Sequence, residues 1–536
     1  MMNNPRRYDA VIVGGGIAGL TAASYLSKYG YMSIVLEQQD IMGGLINSFD
    51  YQGFHFDGGI RSIESSGVLI PMIRDLGLDL DFRRSPVTLG IEDQVIALST
   101  PADITAYEAL LVSIFPENRE DIRLIIRKIK RILRYMNVLY GIDNPMMVDL
   151  KANPSYVLKT LFPWFFKFVP TLYHIERLSV PVESYLRKYT SNQALMDMIA
   201  QHFFKDTPAF FALGYFSIYF DYHYPQGGTG QLPRAMVEYI SHHGGLLKTG
   251  TKITSINLDD KVVSDSSGEQ YPYHKLIWAA DLKSMYRMIE LDHLNQPKVK
   301  QKVVSTLGQL KNKRGAESVL TVYALVDLEP RYFKDRSSGH FFYTPQSVGL
   351  GQIKLPKTDT LELFVPHLKT FLALNTFEIS IPVLRDERLA PDHKTGLIIS
   401  ILIDHETVLH IEKMGYYTSF KSCVQNLVID ILSTSIYPGL KDHVIDMFCA
   451  TPLTIEKRTG STDGAIIGWS YANKPIPVAH RMSRITRSVQ TGLPDVLMAG
   501  QWSFSPAGVP ISVITGKLAA DATKKHLKKI KRSSAI

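Results

Sequence analysis

The first strong pattern along the chain is a short apolar run, Tyr8–Val13 (YDAVIV), followed across three glycines by apolar residues at Ile17, Leu20, Ala23 and Leu26. The continuous run predicts a strand buried on both faces, and the three-to-four spacing predicts a helix over Ile17–Lys28. A second apolar run, Ser33–Leu36 (SIVL), predicts the next strand, so the chain opens as a strand–helix–strand unit. Farther along, Ser318–Val326 and Gly396–Asp404 have β-like alternation, whereas residues 106–225 are helix-like and aromatic. There Ile122, Ile125, Ile126, Ile129, Ile132, Leu133 and Met136 share one helical face, and Arg123, Arg127, Lys128, Lys130, Arg131 and Arg134 occupy the rest. Such a basic amphipathic helix either docks on an anionic bilayer or packs its apolar face inward with the charges solvated.

Aromatic density is high at Phe162–Phe168 and over Pro208–Tyr224, as expected of either a tunnel for a long apolar substrate or a core. The stretch Leu161–Tyr173 is apolar, but Pro163, Lys167 and Pro170 interrupt it and it falls short of the roughly 20 residues that cross a bilayer. The six basic residues Lys524, Lys525, Lys528, Lys529, Lys531 and Arg532 make the C-terminal segment a second candidate membrane contact or a frayed, solvated helix end.

At 536 residues the chain is too long for a single core, and 45% hydrophobic with 21% charged residues is the balance of a folded protein. Two cysteines, Cys423 and Cys449, exclude a disulfide scaffold and a CxxC site and point to a reducing compartment. The expected location is therefore cytoplasmic, with peripheral attachment to the inner face of the membrane as the role for the net charge of +8. No nucleic-acid module accompanies that charge. Histidines such as His202, His223, His242 and His243 match no HExxH or paired-ligand spacing, so no metal site is expected.

Chemistry concentrates at the start. Gly14, Gly16 and Gly19 stand in GxGxxG spacing between the first strand and helix. The first permits a tight turn, the second lets backbone approach a pyrophosphate, and the third lets helix and strand pack closely. Free N–H groups at the helix N-terminus, with Ile17 and Ala18, would receive the phosphates. Glu37 ends the second strand 18 residues beyond Gly19 (37 minus 19), where a carboxylate accepts ribose hydroxyls.

Four blocks resemble the flavin-dependent amine oxidase and phytoene desaturase superfamily, in the branch of carotenoid desaturases, carotenoid isomerase and retinol saturase. They are VIVGGGIAGL with VLE; Gly43-Gly44 and then FHFDGGI; YPQGGTGQLPRAMVEYISHHGGLLKTGTKITSI followed by LIWAAD; and LMAGQWSFSPAGVPISVITGKLAA. The resemblance implies an α/β fold: a Rossmann-type FAD-binding domain, glutathione reductase-like, with an inserted α+β substrate-binding domain. The first would be assembled from residues 1–105, 226–300 and 450–536, the second from 106–225 and 301–449. It also implies non-covalent FAD, held by the first block, by Gly43, Gly44 and Leu45, by Gly58, Gly59 and Ile60 beside the ring, by Ile253 at the adenine, and by Gly500, Gln501, Gly508 and Val509 at the isoalloxazine or ribityl end.

Two positions depart from the amine oxidases. Many of those have Arg after the double glycine, where this chain has Leu45, and an acidic residue where it has Gln501. Both departures favour the carotenoid-type branch. The implied function is FAD-dependent redox chemistry on a C–C bond of a lipophilic isoprenoid or carotenoid-like substrate. Alternatives are polyene cis/trans isomerisation, amine oxidation, or non-catalytic binding of prenylated partners, as in escort-type proteins. Arg61, beside FDGGI, is the candidate catalytic side chain, stabilising a reduced anionic flavin; the competing role for it is a surface ion pair.

Overall fold

The strand Tyr8–Val13 sits between two parallel neighbours, Ser33–Leu36 and Gln270–Trp278, because its segment from Ala10 to Val13 is apolar and can be buried on both faces. The computed structural model describes residues 7–351 and 353–533. Leu246–Lys248 extends this parallel sheet on one side and Val496–Met498 on the other. Ile253–Asn257 and Val262–Asp265 form an antiparallel meander on the N-terminal half of Gln270–Trp278. The helix Ile17–Lys28 covers the sheet and is itself covered by Gln231–His242 and the long C-terminal helix Val509–Ser533. That last crossing is close because Gly516 has no side chain: a Cβ there would lie 2.4 Å from the carbonyl oxygen of Ala18.

A second sheet has the order Val444–Ala450, Ser318–Val326, Thr395–Ile403, Phe377–Ser380, His340–Thr344, Val87–Ile91, Gln94–Leu98. Its two longest strands, Ser318–Val326 and Thr395–Ile403, pair antiparallel from Ser318 opposite Ile403 to Val326 opposite Thr395. Period-two alternation assigns its faces. Val322, Phe341, Ile379 and Ile399 point to one side, into a core with the helices Leu361–Leu374 and Tyr417–Thr434. Thr321, His340, Glu378 and Ser400 occupy the other side, which faces a cavity. A small sheet joins the two units, with Tyr222–Pro225 between Ile63–Glu64 and Phe82–Arg84.

Packing decides three readings that the sequence leaves open, two of them in the helical layer, residues 101–220, and one in the C-terminal helix. The helix Arg119–Tyr140 buries Ile122, Ile125, Ile126, Ile129 and Ile132 to 2% or less, so its apolar face is packed inward and is closed to a bilayer. Phe162, Phe165 and Phe166 neither line a tunnel nor join a core; they are exposed, while Trp164 and Phe168 turn inward on the same helix. The lysine-rich end is not frayed: Lys524 lies 3.5 Å over the Tyr29 ring, Lys531 lies over Tyr31, and Leu527 is buried. Among the described residues no helix is long and apolar enough to cross a membrane.

Candidate active site and cofactor cavity

A cavity of about 850 Å³ opens where the parallel strands end, with Val13, Leu36 and Trp278 on its wall, and continues to the polar face of the second sheet. Ligands bind at such carboxyl ends because the loops there diverge and the following helices present their N-termini.

The glycine turn is built by backbone contacts that side chains would break. Gly14 has φ +105°, and a Cβ on it would stand 2.7 Å from the carbonyl oxygen of Ala279. Gly19 would place a Cβ 2.0 Å from the carbonyl oxygen of Gly14, so it sets the distance between helix and strand. A Cβ on Gly16 would meet only the Gly44 Cα, at 4.0 Å, and otherwise open cavity. The helix it begins has no acidic residue in its first turn and no side-chain cap, leaving its N–H groups for an anion. Gly43 N–H donates to the carbonyl of Gly15 at 2.8 Å, which brings the double glycine against the turn. Glu37 accepts from Gly15 N–H at 2.7 Å and from Gln39 N–H at 2.9 Å, and it is 8% exposed.

Of the residues expected from sequence at the cofactor, Gly14, Gly16, Ile17, Ala18, Glu37, Gly43, Gly44, Leu45, Gly58, Gly59, Ile60, Ile253, Gly500, Gln501, Gly508 and Val509 all line this one cavity. Gly19 does not line it and acts through packing alone. Gly59 is pressed against Leu45, where a Cβ would lie 1.9 Å from the carbonyl oxygen. Gln501 Nε2 donates at 3.5 Å to Ser461 Oγ and to the carbonyl of Ala465.

Arg61 also lines the cavity, 4% exposed; it donates to the carbonyl of Asp57 at 2.6 Å and to Ser400 Oγ at 3.0 Å, and its Nε has no hydrogen-bond partner. The surface ion pair considered for it does not form: among the described residues it pairs with no carboxylate.

Sequence reasoning missed a set of polar groups at the far end of the cavity: Glu64, His202, His340 and Glu378. Burial, reinforced by Asp221, pushes the Glu64 carboxyl up to about 7, and its Oε1 lies 3.9 Å from where a Cβ on Gly508 would stand. Burial pulls His202 down to about 4, so its ring is neutral beside the Tyr219 hydroxyl at 3.0 Å. His340 Nε2 is 2.9 Å from Glu378 Oε1, and its Nδ1 is 2.9 Å from Ser62 Oγ. Burial lowers the imidazole more than Glu378 raises it. Burial pushes Glu378 up, but the hydrogen bond from His340 and the nearby Arg61 charge outweigh it and hold the carboxyl below its usual range. The pair therefore rests as neutral imidazole and carboxylate, with Nε2–H donating to Glu378 and the Ser62 hydroxyl donating to Nδ1. Below them Arg385 stacks 3.9 Å over Tyr224, whose hydroxyl donates to Asp57 at 2.7 Å. For His340 and Glu378, with Ser400 beside them, the available signal is a polar residue in a largely apolar strand: HFFYT, FEIS and TGLIISILI; Glu64 and His202 carry no such signal.

Phe203, Phe210, Phe211, Tyr215, Tyr222 and Phe342 wall the rest of that end. The residues present fit FAD. An uncapped helix N-terminus bordered by open space at Gly16 suits a pyrophosphate, Glu37 suits a ribose, and the second helix N-terminus, at Gly508 and Val509, has no acidic residue in its first turn.

The model of the family described as flavin containing amine oxidoreductase matches residues 17–523. Prolycopene isomerase 1, chloroplastic, of an Oncidium hybrid cultivar is 24% identical over 477 residues, 83% of this chain and 73% of that protein. All-trans-retinol 13,14-reductase of Danio rerio is 22% identical over 530 residues, 93% of this chain and 83% of its own length. Among solved structures, an oxidoreductase from Methanosarcina mazei has a TM-score of 0.61 at 13% identity, covering 96% of this chain and 99% of that one.

Proposed function

Because the chain belongs to the flavin containing amine oxidoreductase family and is an FAD-dependent oxidoreductase, we propose that it desaturates or saturates a C–C bond of a long polyene. The observation that carries this reading is the far end of the cavity, walled by six aromatic rings with one carboxyl, Glu64, poised near neutrality. A polyene offers few polar anchors, and each buried CH₂ contributes about 0.8 kcal/mol, so such a wall supplies binding and excludes water together. Many amine oxidases have Arg after the double glycine and an acidic residue in the last block, and Leu45 and Gln501 carry neither charge here.

FAD, when bound, supplies the acceptor or donor of hydride. The N–H groups at Gly16, Ile17 and Ala18, with Glu37 and Ile253, hold its nucleotide half, while Gly500, Gln501, Gly508 and Val509 hold the flavin end. The proton that accompanies hydride needs its own carrier. Glu64 holds one at a carboxyl oxygen near neutral pH, and Tyr215 and Tyr222, whose hydroxyls lie 2.9 Å apart, line the same cavity. Arg61 sets positive charge beside the cavity, which favours a reduced anionic flavin.

The test is anaerobic mixing of oxidised enzyme with monoamines and polyamines, and separately with polyenes delivered in liposomes, following flavin bleaching. Bleaching by polyenes alone is the expected result for a desaturase; rapid bleaching by an amine with none by any polyene overturns the reading. A second reading, isomerisation by reduced flavin, is favoured by the resemblance to prolycopene isomerase. It predicts that pre-reduced enzyme changes polyene geometry with no net flavin oxidation.

A further inference from the structure

Helical backbone runs from Pro154 to Glu176, with a π-type turn at Val157–Leu161. Its outer surface is apolar and uncovered. Leu158, Phe162, Phe165, Phe166, Val169 and Tyr173 recur at three- and four-residue spacing, and Leu158, Phe162 and Phe166 are 71, 62 and 63% exposed. These residues span roughly 22 Å of helix at 1.5 Å per residue. Among the described residues no other helix leaves a comparable surface row of aromatics, and an apolar patch of this kind marks an interaction site.

Two further observations say what covers it. Between residues 151 and 180 the exposed charges are Lys151, Lys159, Lys167 and Arg177 against one carboxylate, Glu176, so the rim of the patch is cationic. The inner face of the same helix belongs to the cavity: Leu172 and Ile175 line it, and Glu176 and Ser179, which also line it, reach the surface beside Arg481, 4.0 Å from Glu176. One helix thus presents aromatic side chains outward and cavity wall inward, with an opening at its C-terminal end. A basic-rimmed aromatic face lying along a surface is the composition that inserts shallowly into an anionic bilayer.

We infer that the outer face of Pro154–Glu176 seats in the headgroup boundary of an anionic lipid bilayer, placing the cavity opening at Glu176 and Ser179 against the membrane. The contact is apolar at its centre and electrostatic at its rim. It assigns membrane attachment to this helix and leaves the packed basic helix Arg119–Tyr140 without an apolar role. The inference holds whichever reaction the cavity performs.

The experiment uses FAD-loaded full-length protein and its Phe162→Ser/Phe166→Ser/Val169→Ser variant, floated with vesicles of phosphatidylcholine alone or mixed with phosphatidylserine. The wild type is expected to float with the mixed vesicles and to keep part of its binding at high salt; the variant is expected to bind at least tenfold less with unchanged flavin content and melting. Because all three side chains are exposed, folding is not at stake. A wild type that stays with the soluble fraction, or a variant that floats equally well, overturns the inference. So does a wild type that sediments as a dimer which the variant dissociates, since a second copy would then cover the face. None of these readouts uses substrate, so they stand or fall apart from the polyene reading.

Discussion

Glu37 Oε2 accepts a hydrogen bond at 2.7 Å from the backbone N–H of Gly15, fastening the end of the second strand to the turn that begins the first helix. The carboxylate thus has an internal duty besides any ribose it receives. Glu37→Ala removes both, and should weaken FAD by about 1–3 kcal/mol, the range for lost hydrogen bonds to a charged group. Glu37→Gln keeps one carbonyl acceptor and should fall between. Titration of apoprotein with FAD measures this; equal affinity in all three proteins would remove Glu37 from the cofactor site.

Gly16 and Gly19 should separate binding from folding. Gly16→Asp finds open space and an ordinary φ of −75°, so the chain should fold, yet the new carboxylate repels a pyrophosphate and FAD should be absent from the purified protein. Gly19→Ala meets the Gly14 carbonyl and should lose about 1–3 kcal/mol of stability by overpacking. Flavin absorbance and thermal melting distinguish the two. Normal flavin content in Gly16→Asp would misplace the phosphate turn.

Glu64 carries a pH prediction. Its carboxyl is raised to about 7 from a model-compound value of 4.5, so the folded state keeps a proton that the unfolded state releases first. Below pH 4.5 both states are protonated and nothing is lost; between about 4.5 and 7 stability falls as pH rises, and above 7 the full cost is present. At 1.36 kcal/mol per unit the ceiling is about 3 kcal/mol, less any relief from water in the cavity. Glu64→Gln should therefore stabilise the protein at pH 8 and change little at pH 4. Substrate turnover in liposomes should also lose an inflection near pH 7. Identical melting curves for both proteins at pH 8 would contradict a buried, proton-holding Glu64.

FAD should be held without a covalent bond. Among the described residues neither cysteine lines the cavity; burial pushes the Cys449 thiol up to about 12 and raises Cys423. His340 has both ring nitrogens engaged, and His202 Nε2 meets Tyr219. Acid precipitation should release all yellow colour, and flavin left in the pellet would refute this.

The sequence alone determined the nucleotide end. GxGxxG spacing, the strand runs and Glu37 are local signals, because a turn, a helix N-terminus and a strand end are each made by residues near one another in the chain. The blocks at Gly43, Gly58 and Gly500 were reached through the resemblance to a family, and the structure gives Gly43 and Gly500 a left-handed backbone, φ +125° and +87°, that favours glycine. What the chain does beyond the flavin was decided by tertiary structure. Glu64, His202, His340 and Glu378 come from four separate segments and line one cavity because the second sheet turns His340 and Glu378 toward it while the small sheet and the helical layer bring Glu64 and His202 to the same space. The two amphipathic helices show the same limit. Ile122–Met136 and Leu158–Tyr173 both carry apolar residues at helical spacing, but the first is covered by neighbouring helices and the second is open to solvent. Periodicity fixes which side chains share a face; what lies against that face depends on where the rest of the chain packs.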